Sequence, residues 1–131
     1  MRKNRASARS SGTNSSSSTN ALKPIFSFHH MKQNTGYSIS CCDVEYRATL
    51  IQKLYELSQL TWQEIQTSHR HGKGTEKISK TSIAKILANS LPEDAEALAL
   101  RCRGLSPMIG YRDGQILHII GIDKDFSAYP H

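Results

Sequence analysis

The segment Gln115-Ile-Leu-His-Ile-Ile-Gly-Ile122 constrains the fold more than any other part of this 131-residue chain. Read as a strand, it places Ile116, His118, Ile120 and Ile122 on one face and Leu117, Ile119 and Gly121 on the other. A nearly continuous apolar run of this length predicts a central strand covered on both sides. Arg112-Asp113-Gly114 precedes it, and Asp-Gly supplies the positive φ of a tight hairpin turn, with Met108 to Tyr111 as the partner strand. Further upstream, Leu98, Leu100 and Cys102 alternate with Ala97, Ala99, Arg101 and Arg103. That alternation predicts a third strand with one apolar face and both arginines on the opposite one. The last forty residues therefore read as a three-strand antiparallel meander.

Two helices precede the meander. Asp43 suits an N-cap, Glu45 sits where the helix dipole favours an acid, and Leu50, Ile51, Leu54 and Leu57 form one face of a helix over about 44–59. Thr61-Trp-Gln-Glu64 is a capping box, with Leu60 and Ile65 at the hydrophobic-staple positions, and Trp62 and Ile65 read as core anchors. The two helices form an αα-hairpin. Before them, Pro24 opens an extended segment or hairpin: Ile25, Phe26 and Phe28 are apolar, Thr35-Gly36 signals a turn, and Tyr37 and Ile39 alternate with serines. Residues 79–89 read as a short helix or a strand-like connection, ended by Pro92. An extended segment, a helical hairpin and a meander together give an α+β domain.

Charge divides the chain in two. Residues 1–23 carry five basic residues and no acid, whereas from Pro24 onward 12 basic residues face 11 acidic ones. The first segment, rich in Ser and Arg, has too few large apolar residues to offset the entropy of ordering it, so it reads as a disordered tail before a single domain over 24–131. As a basic arm it would add a salt-sensitive increment to RNA or DNA binding. The acid-free, Ser- and Arg-rich start also resembles an organelle transit peptide in composition, though it lacks an amphipathic apolar stripe. No apolar run approaches the roughly 20 residues that span a bilayer, and none forms a secretory signal, so no membrane association is expected. Three cysteines, two of them adjacent, imply no disulfide framework, and the cytoplasm is the expected compartment.

No phosphate-binding, dinucleotide-binding, metalloprotease or nucleophile-elbow motif is present, and no cofactor is expected. His69-Arg-His-Gly-Lys-Gly74 is a cationic, glycine-bearing stretch in which Arg70 and Lys73 could meet an anion, although an exposed polar loop has the same composition. His69 and His71 are the one credible pair of metal ligands, and they lack partners at zinc-site spacing. The richer group is Arg101, Arg103, Arg112, Lys124, Tyr129 and His131. Guanidinium groups hold phosphate bidentately, and a Tyr or His near the end of the chain could move protons at a ribose 2′-OH or a leaving oxygen. The same residues also suit plain solvation of an outer strand face, with Tyr129 packing the terminus.

The order of helical hairpin, meander and closing tyrosine resembles the RelE/ParE toxin superfamily. The resemblance is most specific where Met108-Ile-Gly-Tyr111 leads into Gln115-Ile-Leu-His-Ile-Ile120 and then Asp-Lys-Asp-Phe-Ser-Ala-Tyr129. It implies a toxin of a toxin–antitoxin system that cleaves ribosome-bound mRNA, with the 2′-OH as attacking group and no metal or cofactor. Tyr129 matches the family's terminal tyrosine, Lys124 the basic residue shortly before it, and Arg103 lies near an earlier arginine. By the same resemblance Arg103 and Lys124 would hold phosphate, and Tyr129 or His131 would act as acid or base. Arg70, Lys73, Arg101 and Arg112 would add nucleic-acid contacts, and the partners would be RNA, the ribosome and a cognate antitoxin. Two alternatives stand beside it: a non-catalytic nucleic-acid- or protein-binding module of the same fold, and a ParE-like poison of another enzyme.

Overall fold

The computed structural model describes residues 19–68, 75–103 and 106–130, with the side chain of Arg103 outside that description. Strand β1 (Ile25–Ser27) leads through a 3₁₀ turn at Ile39–Cys41 into α1 (Val44–Ser58) and α2 (Trp62–Thr67). Strand β2 (Thr75–Ile78), the short helix α3 (Lys85–Ala88), β3 (Ala97–Arg103), β4 (Ser106–Asp113) and β5 (Ile116–Ile122) follow. The five strands form one mixed sheet in the order β1-β5-β4-β3-β2, and the fold is α+β. The antiparallel meander of β3, β4 and β5 is present as the sequence predicts. Among the described residues no helix is long and apolar enough to cross a membrane.

Both helix starts form for the expected reasons. The Asp43 carboxylate accepts from the Tyr46 amide at 2.7 Å. At α2, the Thr61 hydroxyl accepts from the Glu64 amide at 3.1 Å, and the Glu64 carboxylate accepts from the Thr61 amide at 2.9 Å. The next two amides of that helix, on Trp62 and Gln63, donate to the carbonyls of Leu22 and Asn20, both at 2.9 Å. This corrects the reading of the whole 1–23 segment as a tail. Residues 19–23 are tied down because the start of α2 presents backbone donors that need acceptors, and they supply them. Residues 1–18 lie outside the described residues.

The structure also decides or adds to other expectations. Of the two readings of the segment after Pro24, the extended one forms and the hairpin does not; β1 pairs in parallel with β5, Phe26 opposite Leu117, and the loop beyond it accepts the Ile122 amide on the Tyr37 carbonyl at 2.7 Å. Residues 75–78, unassigned by periodicity, add the edge strand β2 beside β3. The register of β5 slips opposite Ile109 and Gly110, leaving Ile120 as an extra residue. That bulge moves Ile122 to the face of Leu117 and Ile119, instead of the face of Ile120 that strict alternation gives. The ladder runs so tightly there that a Cβ on Gly110 would collide with the His118 carbonyl.

The sheet is covered on both faces, as the apolar run of β5 requires. On one face Leu50, Leu54 and Leu57 of α1 and Trp62 and Ile65 of α2 pack on Leu100, Met108, Leu117, Ile119 and Ile122. On the other, Ile83, Leu87, Leu91, Ala128 and Tyr129 close over Ala97, Ala99, Ile109 and Ile120. The face of β3 expected to solvate its arginines is therefore buried over its first half, and the small Ala97 and Ala99 leave room for that second layer.

Candidate functional site

Among the clefts lined by the described residues, two lie at opposite ends of β4. The first is built by the segment after β5. Asp123 is wholly buried, and its carboxylate accepts from the amides of Ser127 at 2.7 Å and Ala128 at 2.9 Å. Its carbonyl accepts from the Phe126 amide at 3.1 Å, with Phe126 at φ +60°. One side chain thus folds 123–128 into a loop over the start of β4. The loop bounds an open cleft of about 510 Å³ lined by Cys41, Asp43, Tyr46, Ser106, Lys124, Asp125 and Phe126. The Arg101 guanidinium lies 6.0 Å from the centre of the Phe126 ring.

Hydrogen bonding sets the chemistry of this cleft. Ser106 donates its hydroxyl proton to the Asp123 carbonyl at 2.8 Å, so the Tyr46 phenol is the donor in its short bond to Ser106. Burial raises the Tyr46 pKa well above the usual phenol range, and the phenol stays protonated. Lys124 pairs with Asp125 at 2.9 Å, and the hydrogen bond with that carboxylate holds its pKa above the ordinary ammonium value. Hydrogen bonds from Ser38 lower the Cys41 thiol, with a smaller contribution from Lys124.

The structure gathers part of the sequence-derived set. Arg101, Lys124 and the backbone of Arg103, which pairs with Ser106, meet at this end of the sheet. Tyr129 does not line the cleft. It is 9% exposed and belongs to the second core, so the packing role describes its position. Arg112 lies on the helical face, 4.2 Å above the Trp62 ring, and donates to the Gly114 carbonyl at 2.7 Å and the Thr19 hydroxyl at 2.9 Å. It straps the first described residues, α2 and the β4–β5 turn together, and burial lowers its pKa. Arg70, Lys73, His131 and the side chain of Arg103 lie outside the described residues.

The second cleft, about 460 Å³, lies at the other end of β4 and is lined by His30, Pro92, Asp94, Tyr111, Asp113 and His118, among others. Tyr111 and His118 are cross-strand partners whose rings stack at 4.8 Å. His30, on the loop after β1, packs 5.1 Å from His118, and His29 meets His30 edge-on at 4.8 Å. The His118 Nε2 lies 4.0 Å from the Asp113 carboxylate, and its buried Nδ1 has no hydrogen-bond partner among the described residues. Burial, then the neighbouring His30, push the His118 pKa below the ordinary imidazole value, against a weaker pull from Asp113. Burial also raises Tyr111. Among the described residues no three His, Cys, Asp or Glu side chains come together as a metal-ligand set.

Sequence reasoning passes over this second group. His118 is visible as the polar residue inside an apolar run, but counting outward from Asp113-Gly114 sets it opposite Ile109; it pairs with Tyr111 because the turn closes one position later, at Gly114-Gln115. His30 enters only through the parallel pairing of β1 with β5, which no local pattern encodes. Compared with protein-family models, curated proteins and solved structures, the chain matches none.

Proposed function

We propose that this protein is a toxin-type protein of RelE-like architecture, acting in the cytoplasm on ribosome-bound mRNA as a metal-independent endoribonuclease, with a cognate antitoxin as its partner. The observation that carries this reading is the meeting of Arg101, Lys124 and Phe126 at the end of the meander. A half-buried aromatic ring beside Arg101, in a cleft that Lys124 also lines, suits single-stranded RNA, with the ring stacking a base and the cations engaging flanking phosphates. Lys124 would exchange its pairing with Asp125 for a phosphate oxygen. Induced expression tests the reading: the wild-type chain arrests growth and fragments mRNA, and Arg101→Ala with Lys124→Ala relieves both. Arrest that persists undiminished in the double variant removes this cleft from the mechanism.

The burial of Tyr129 favours a second reading, in which the same fold binds nucleic acid or a protein without cleaving, since it withdraws the expected proton-transfer group from the cleft. Growth arrest with intact mRNA would select it.

A further inference from the structure

We propose that the outer face of α1 is the interface of a weak two-fold dimer, in which the α1 helices of two copies of this chain lie antiparallel. Helix α1 carries two apolar stripes. Tyr46, Leu50, Leu54 and Leu57 face the sheet and are buried. Val44, Ala48, Ile51 and Tyr55, spaced four, three and four residues apart, run along the other side. Ala48 is exposed, and Val44, Ile51 and Tyr55 are 78%, 63% and 60% exposed. The fold leaves this second stripe uncovered, although its spacing is that of a coiled-coil seam, which a second helix covers. A contiguous apolar patch with a polar rim marks an association surface in a way that scattered apolar residues do not. None of the four residues lines either cleft at the ends of β4, so the surface is independent of the RNA-directed reading.

The sizes and the rim of the stripe select a second copy as its occupant. A two-fold axis between Ala48 and Ile51 sets Ala48 against the partner's Ile51 and Val44 against the partner's Tyr55, so each layer joins a small side chain to a large one. Parallel alignment would stack tyrosine on tyrosine and leave a gap between the alanines. The rim fits the same axis. Glu45 and Gln52 border one side of the stripe, and the antiparallel register brings each Glu45 carboxylate alongside the partner's Gln52 amide. On the other side Arg47 donates to the Ile39 and Ser40 carbonyls at 3.3 and 3.4 Å, which draws its charge toward the start of α1 and away from its symmetry mate. Four side chains over about three turns bury well under the roughly 800 Å² per partner of a standard interface, so the dissociation constant is on the order of 100 µM.

Sedimentation velocity on the full chain between about 5 and 500 µM tests the interface. The weight-average mass of the wild type is expected to rise from one chain toward two. Ile51→Glu, at an exposed position, is expected to weaken association at least about 10-fold while its circular dichroism matches that of the wild type. The register has a test of its own. Ala48→Glu and Ile51→Lys each stay at one chain alone, and their equimolar mixture regains association, because the antiparallel axis sets the two introduced charges opposite each other. A wild type that holds the mass of one chain at the highest concentration overturns the proposal and leaves the stripe to a different protein. Association that Ile51→Glu does not weaken lies on another face and overturns it too, as does growth beyond two chains, since a two-fold interface closes. Single variants that dissociate and fail to associate when mixed overturn the antiparallel arrangement.

Discussion

The His118 side chain is 13% exposed, held between Tyr111 of β4 and His30 of the loop after β1. That burial couples its titration to folding. The folded state depresses the His118 pKa, so the unfolded chain binds more protons as pH falls through the unfolded imidazole value of about 6.5. The stability this residue contributes is complete above that value and is lost below it, down toward the folded pKa. The groups facing it are His30 and His29 from the loop and Tyr111 and Asp113 from β4. Urea denaturation at pH 7.5 and 5.5 should show the acidic loss, and His118→Gln should reduce it. An undiminished loss in the variant would assign it elsewhere. Part of this environment is legible in the sequence: the place of His118 on β5 and its apolar neighbours, though its partner Tyr111 follows from a turn one position later than Asp113-Gly114 suggests. Its burial and its pairing with His30 are not, because they depend on a loop from the other end of the chain.

At the scale of elements, those specified by near neighbours were legible and those specified by distant ones were not. The capping box at Thr61, the apolar face of α1 and the β4–β5 hairpin are each written within a few residues, and each forms, except that Ile51, counted in the face with Leu50, Leu54 and Leu57, points to solvent at 63% exposure. The β4–β5 turn closes at Gly114-Gln115, one position beyond Asp-Gly, with Gly114 at φ +62°. By contrast β1 and β2 are edge strands of three and four residues, too short for alternation to register, and their partners are remote in sequence. The bulge in β5 follows the tight Gly110 contact and has no signature in hydropathy. The candidate clefts divide the same way: Lys124 and Arg101 lie on elements that could be read locally, whereas the burial of Tyr129 depends on the second layer. Because α2 is a six-residue helix, its cap carries an unusual share of its stability. Thr61→Ala should cost about 1 kcal/mol in chemical denaturation, and Thr61→Asn much less. Equal losses for the two would argue against a capping origin.

For the whole molecule, the two cores share β3, β4 and β5, so neither can open without exposing the back of the other. The outer wall of the second core hangs largely on Asp123. Its carboxylate binds the Ser127 and Ala128 amides, and the Ala128 carbonyl in turn accepts from the Ala84 amide at 2.6 Å. Asp123→Ala removes a buried acceptor of two backbone donors and should cost about 3 kcal/mol, read as one cooperative unfolding transition shifted to lower urea. A loss below about 1 kcal/mol would show that the loop holds without it. The strand order carries a different implication, for the chain as it is made. Ile25 to Ser27 leave the ribosome early, but β5, the strand they pair with, is synthesised after the other four. Throughout translation of α1, α2, α3 and most of the sheet, the backbone of β1 must wait with its ladder unmade. Its brevity, three residues with a proline immediately before, makes that wait safer by offering little for a neighbouring nascent chain to pair with.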